Sequence, residues 1–421
     1  MRSFRRLAVV AVTVFLLALP IGVSASAAPL DPATKFFVPA PSQGAISQLT
    51  GLVRHGKLKS ALQLGAMLAQ GHAVWFTSGT PAEVEKQVRK TMVAAAIERR
   101  VPVLVAYNLP FRDCGQYSAG GALSTADYLA WIDAFARGIG NGRALVVLEP
   151  DGLGIIPYNT TIYGAAEWCQ PDLTGTGLTP SEANAARYDQ LNGAVNRLEH
   201  QPNASVYLDG THAAWLGVGE AAYRLAKAGA LRAQGFFLNV SNYQTTANSL
   251  TFGRWISKCI AFATNPAEGG WRLGNYGWCP SQYNPATNFT VDYSPDYVAS
   301  VDAQLDGLRG DATPTTRFIV DTSRNGQGPW TPTAAYPDAQ DWCNPPHRGV
   351  GLTPTAATGD PLADAYLWIK VPGESDGQCS RGLGPTGTVD PEWGLVDPAA
   401  GAWFPQQALE LAQLATPTLV P

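Results

Sequence analysis

The chain has 421 residues with 33 acidic and 29 basic side chains, and its net charge of −4 with dispersed basic residues leaves no footprint for a nucleic acid or an acidic polymer. It is long for one domain and short for two large ones, and no segment gathers Pro and Gly into a linker, so a single domain over 29–421 is expected. Six cysteines without a paired CxxC, and five histidines without an HExxH, favour three disulfides over a zinc site; no metal and no cofactor are expected.

In chain order, residues 1–28 read as an export signal. Arg2, Arg5 and Arg6 precede the apolar run 7–19, and the small residues Ala25, Ser26 and Ala27 follow it. The run is shorter than the ~20 residues a spanning helix needs, so secretion is expected rather than a membrane partner. Seven apolar runs then predict strands at 73–76, 103–107, 144–149, 206–209, 235–239, 317–321 and 365–370. They are nearly continuous in hydrophobicity, as parallel strands covered on both faces are. Amphipathic stretches such as 81–99, 124–139 and 180–198, opened by Ser, Thr or Pro, predict helices between them. This alternation predicts an α/β fold of the barrel type. An open doubly wound sheet is the competing architecture, but no GxGxxG follows the first strand.

Carboxylates sit at or just past the strand ends: Asp113, Asp151, Asp209, Asp321 and Asp376. Barrel enzymes place their active sites there. Convergence of these groups raises the pKa of some and leaves others ionised, which is what glycoside cleavage requires of its acid and its base or nucleophile. A single aspartate at a strand end is as often a helix cap or an ion-pair partner. Five together, beside Trp75, Trp215 and Trp342 whose ring faces can stack on sugars, point to a saccharide cleft.

The ordered motifs Val105-Ala-Tyr107-Asn-Leu-Pro110-Phe-Arg112-Asp113-Cys114-Gly115, Val146-Val-Leu-Glu149-Pro150-Asp151 and Tyr207-Leu-Asp209-Gly-Thr-His212-Ala-Ala-Trp215 resemble glycoside hydrolase family 6, the inverting endoglucanases and cellobiohydrolases. Asn239-Val-Ser241-Asn242-Tyr243, Val320-Asp321-Thr-Ser-Arg324-Asn325-Gly326, Trp342-Cys343 and Trp368-Ile-Lys370-Val-Pro-Gly373-Glu374-Ser-Asp376-Gly377 extend the resemblance. It implies a distorted seven-stranded β/α barrel of the TIM type with its active site at the C-terminal strand ends. It also implies hydrolysis of β-1,4 bonds in cellulose or cello-oligosaccharides by a monomer. Asp151 matches the catalytic acid, Asp113 the aspartate that keeps it protonated, and Asp376 the proposed base, with proton removal through water toward Asp113 as the alternative. Tyr107 matches the residue crowding the distorted sugar at −1, Trp215 the platform at +1, and Trp75 and Trp342 the pair at −2. Asp209, His212, Asn242, Lys370 and Glu374 match residues that bind sugar hydroxyls. The resemblance further implies disulfides Cys114–Cys169 and Cys343–Cys379, leaving Cys259 with Cys279.

The chain departs from the pattern in two places: Gly152 stands where Ser, Ala or Leu is usual, and Ala119 where many members have a serine. Two long segments rich in Gly and Pro, 265–296 and 382–401, are expected to roof the cleft, which favours release of cellobiose from chain ends. Internal cutting by an endoglucanase is the runner-up. A non-catalytic glucan-binding wall protein is disfavoured by the intact Asp113, Asp151 and Asp376, and xylan or a mixed-linkage β-glucan are other candidate substrates.

Overall fold

The computed structural model describes residues 28–266, 270–284 and 290–420. The expected export signal, Ala28 excepted, lies outside the described residues, as do parts of the segment 265–296. Seven strands form one parallel sheet in sequence order: β1 (Val74–Phe76), β2 (Val103–Ala106), β3 (Ala144–Leu148), β4 (Ala204–Asp209), β5 (Gly235–Leu238), β6 (Arg317–Asp321) and β7 (Ala363–Leu367). The sheet curls into the distorted barrel that the sequence predicts. β1 and β7 form no ladder with each other; instead the Ala73 amide donates to the Trp368 carbonyl at 2.9 Å across the seam. Packed on Trp368 are Leu64 and Met67 of α2 (Leu58–Leu68) and Leu411 of α9 (Pro405–Gln413).

Side chains alternate along each strand, and so the sheet separates two apolar layers. Val103, Val105, Leu145, Val147, Tyr207, Phe237, Ile319 and Leu367 fill the inside. Leu104, Val146, Leu148, Val206, Leu208, Phe236, Leu238 and Val320 meet the surrounding helices. Those helices begin as their sequences dictate. Thr80 and Glu83 form a capping box at α3 (Pro81–Ile97), Thr179 and Glu182 form another at α5 (Pro180–Leu198), and each helix has Pro in its first turn. Ser124 caps α4 (Thr125–Ile139).

The last strand is displaced from its expected position. It runs over Ala363–Leu367 rather than 365–370 because Asp321, at the end of β6, accepts the amides of Ile369 (3.2 Å) and Lys370 (2.9 Å). Those amides are therefore withdrawn from the ladder, and the chain turns into the cleft at Lys370.

Candidate active site

Past the strand ends the backbone adopts conformations that ordinary residues avoid. Asp113 and Cys114 after β2, Glu149 and Asp151 after β3, Thr211 after β4, and Asn239 and Ser241 after β5 all have positive φ. Strain of this kind persists only where the surroundings enforce it, and it clusters where side chains must be aimed. One enforcing group is Glu149. Its carboxylate is fully buried and accepts the amides of Asn108 (2.8 Å) and Leu109 (3.1 Å), which ties the β2 loop to the β3 loop. Burial, against those two amides, pushes its pKa up to about 7. Gly152 explains its own departure from the pattern: a Cβ there would lie 2.7 Å from the Glu149 carbonyl oxygen.

A cleft of about 420 Å³ opens over these loops, with Asp151 half-buried in its lining. Burial pushes the Asp151 carboxyl well above the ordinary range, and the nearby charges of Asp209, Asp113 and Asp376 push the same way against Lys370. Asp113 accepts the Ser118 amide at 2.7 Å, and burial raises it to about 6. Asp376 stands in the opposite situation. Burial works to raise its pKa, but Arg324 (2.7 Å) and Lys370 (3.2 Å) outweigh it and hold the carboxylate below its usual range. The Asn344 amide adds a hydrogen bond at 3.0 Å.

Asp209 lines the cleft, and its carboxylate accepts the amides of Leu153 (3.2 Å), Gly154 (3.1 Å) and Thr211 (2.9 Å), so it also shapes the turn that carries Asp151. Asp321 is spent entirely on structure. Besides Ile369 and Lys370 it accepts the amides of Ser323 and Ser241, and it does not line the cleft. His212 accepts the Ala214 amide through Nδ1 at 3.2 Å, and burial lowers its pKa to about 3; the ring is therefore neutral with Nε2 as the donor. Tyr107, set edge-on to Trp75 at 5.4 Å, and Asn242 complete this part of the lining.

Trp75, Trp215 and Trp342 all line the cleft. Trp75 is fixed by its indole bond to the Ile369 carbonyl at 2.8 Å, and the Trp215 ring lies over Gly154, where a Cβ would come within 2.5 Å of it. Trp342 tilts against Tyr117 at 6.0 Å. Glu374 falls elsewhere: it borders the adjoining cavity behind Trp75 instead of the cleft itself. Two lining tryptophans and one buried carboxylate beneath the cleft were not among the site residues expected from sequence. Trp330 and Trp168 both face the cleft from loops without periodicity, and Glu149 works through amides brought to it by tertiary folding.

Cys114–Cys169 and Cys343–Cys379 pair as the resemblance implies, with Cα–Cα distances of 5.8 and 6.0 Å, and the remaining Cys259 and Cys279 pair at 5.9 Å. Among the described residues, Cys379, Asp390 and Asp397 form the sole cluster of metal-ligand types, but Cys379 is in a disulfide and Asp390 is paired with Arg381 at 2.7 Å.

Of the two segments expected to roof the cleft, 382–401 borders a cavity beside it, where Thr386, Ala399 and Ala400 meet Gln116 and Trp342 of the cleft lining. No described residue of 265–296 or 382–401 lines the cleft. From behind, Gln282 donates to the Leu216 carbonyl (2.9 Å) and Tyr293 to the Ala213 carbonyl (2.8 Å), bracing the loop that carries His212 and Trp215. Likewise Trp393 donates to the Asn344 carbonyl at 2.7 Å, and Asp390 holds Arg381 beneath the loop that carries Trp342.

Comparison with known proteins agrees with this architecture. The family model described as "Glycosyl hydrolases family 6" matches residues 32–415. Endoglucanase 1 from Streptomyces sp. strain KSM-9 is 32% identical over 326 residues, 77% of this chain and 67% of that protein. Endoglucanase A from Cellulomonas fimi is 31% identical over 386 residues, 91% of this chain and 62% of that protein. A probable 1,4-beta-D-glucan cellobiohydrolase C from Neosartorya fischeri is 30% identical over 338 residues, covering 75% and 62%. The chain thus spans about two thirds or less of the length of these relatives. Among solved structures, the endoglucanase Cel6 from Mycobacterium tuberculosis, in complex with methyl-cellobiosyl-4-deoxy-4-thio-β-D-cellobioside, superposes with a TM-score of 0.61 at 30% identity, covering 90% of this chain and 97% of that one.

Proposed function

The chain belongs to glycosyl hydrolase family 6, and from that premise we propose that it hydrolyses the β-1,4-glucosidic bonds of cellulose with inversion at the anomeric carbon. The observation that carries the reading is Asp151, a carboxyl kept protonated by burial and by three neighbouring carboxylates in a cleft lined with tryptophan. It donates its proton to the leaving glycosidic oxygen. Asp113 supports that state by its charge. Because its own carboxyl is raised to about 6, Asp113 is also a better proton acceptor, through an intervening water, than the doubly ion-paired Asp376. Asp376 then serves as a fixed negative charge facing the positive charge that develops on the sugar.

Trp75 and Trp342 stack on the glycone side, Trp215 on the aglycone side, and Tyr107 crowds the sugar between them. His212 donates from Nε2, Lys370 and Asn242 offer polar contacts to hydroxyls, and Glu374 reaches only a sugar that extends behind Trp75. Asp209 acts chiefly by shaping the Asp151 turn. Internal cutting has better support than release from chain ends, since the two segments expected to form a roof brace the cleft walls from behind. Three disulfides and the signal-like run at 1–28 support action outside the cell.

NMR of the first product, taken before mutarotation, tests the mechanism. The α-anomer is expected, and a β-anomer would overturn it. The viscosity of carboxymethylcellulose tests the mode: it should collapse early in the reaction, whereas a slow fall with cellobiose as the dominant product would restore the chain-end reading.

A further inference from the structure

Between β3 and α5 the chain makes a long excursion over residues 152–179. It is not a loose loop. The Tyr158 amide donates to the Cys169 carbonyl at 2.8 Å, Thr160 and Ala166 form an antiparallel bridge, and the Tyr158 hydroxyl donates to the Pro171 carbonyl at 2.6 Å. Two further ties run to α6 (Val218–Ala228), which begins three residues after Trp215. The Ile162 amide donates to Glu220 at 2.8 Å, and Glu167 pairs with the fully buried Arg224.

Within this braced segment Trp168 is held on both sides. Glu167 before it is locked to Arg224, and Cys169 after it is buried in the disulfide to Cys114. Trp168 itself is 54% exposed, yet it lines the cleft together with Ile155 and Trp215. Such an arrangement spends an ion pair and a disulfide on presenting an indole to water. The ties to α6, which follows directly on the loop carrying Trp215, set the segment of Trp168 beside that loop.

We propose that Trp168 is a distal sugar-binding platform on the aglycone side, contacting a β-1,4-linked glucose unit beyond the one at Trp215 and so setting the preference for longer chains. The inference rests on the glucanase reading above. Stacking on an indole face binds a sugar without demanding one orientation of its hydroxyls, which suits a unit remote from the bond being cut. Contact with a remote unit assists cleavage only when the substrate is long enough to reach it.

The test is kcat/KM for cellotriose, cellotetraose, cellopentaose and cellohexaose with the wild type, Trp168→Ala and Trp168→Tyr. Trp168→Ala should lower the ratio of cellohexaose to cellotriose efficiency by about three- to tenfold, the size of a lost aromatic contact. The loss should fall mainly on KM. Cleavage of cellohexaose should move toward bonds that leave fewer units on the aglycone side, and Trp168→Tyr should restore most of the ratio. An equal loss at every chain length would overturn the proposal, because it would mark Trp168 as a support for the neighbouring disulfide. An unchanged ratio would overturn it as well. A wild-type protein inert on all four substrates would instead overturn the glucanase reading, and this inference with it.

Discussion

Asp151 and Asp376 line the same cleft but reach it from regions built on different principles. Around Asp151 the local partners are backbone amides and other carboxylates: Glu149 and Asp209 organise the flanking turns, and both of them are raised by burial, to about 7 and about 6. Around Asp376 the partners are cations, with Arg324 and Lys370 in direct contact. One region concentrates negative charge out of water and so retains a proton; the other neutralises negative charge and so sheds it. Two identical side chains thereby acquire different roles, and it is their neighbours that separate them.

The comparison breaks most visibly at Asp151. Asp151→Ala should lower turnover on cello-oligosaccharides by about 10²- to 10⁴-fold, the usual worth of a general acid with a poor leaving group. Aryl cellobiosides with good leaving groups should lose much less; equal losses across leaving groups would exclude Asp151 as the donor. Asp376→Ala acts on stability as well as rate. It strands Arg324, which is fully buried, so unfolding in denaturant should show a loss of about 3–5 kcal/mol, the cost of breaking a buried ion pair from one side. A variant that loses activity while keeping its unfolding midpoint would show that the two cations are not held by this carboxylate.

The strands and the catalytic carboxylates were legible because each leaves a local signature. A run such as 144–148 is apolar throughout since both faces of β3 are buried, and Asp151 sits in a motif only a few residues past it. What sequence could not give was the tertiary partner. Nothing local marks Asp321 as the acceptor that ends β7 early, since its amides come from Ile369 and Lys370 at a separation of 48 and 49 residues. The same holds for the two segments expected as a roof. Their length and aromatic content were visible, but the direction of Gln282 and Trp393, toward the backs of the loops that carry Trp215 and Trp342, is a property of the folded chain.

Asp113 tests how strongly one carboxylate controls another. Asp113→Asn removes the proposed proton acceptor, which lowers turnover, and also a negative charge that raises the pKa of Asp151, so in the remaining activity the acid should lose its proton at lower pH. The basic limb of the pH–rate profile should move toward acid. A limb that stays in place would mean that burial and the remaining carboxylates set the Asp151 pKa without help from Asp113.

The smallest effect concerns stability, where the two regions should carry opposite signs. Glu149 is raised from 4.5 to about 7, so the folded state holds its proton more tightly than the unfolded chain does. Its contribution to stability is therefore full below the unfolded value, ~4.3, and is lost as pH rises through about 7. Asp113 and Asp209, both raised to about 6, add losses of the same sign at slightly lower pH. Asp376 is depressed, so its contribution is present above the unfolded value, ~3.9, and disappears only as pH falls through its lower folded value. His212, lowered to about 3, adds the opposite slope up to its unfolded value, ~6.5, but the several raised carboxyls outweigh it, and the melting temperature should decline between pH 5 and pH 8, roughly the span of these raised values. Glu149→Gln should flatten the upper part of that decline, because the amide has no proton to lose and can still accept from Asn108 or Leu109. A wild-type melting temperature that rises over the same interval would mean that the carboxyls around Asp151 are ionised in the folded protein, and the contrast with Asp376 would fail.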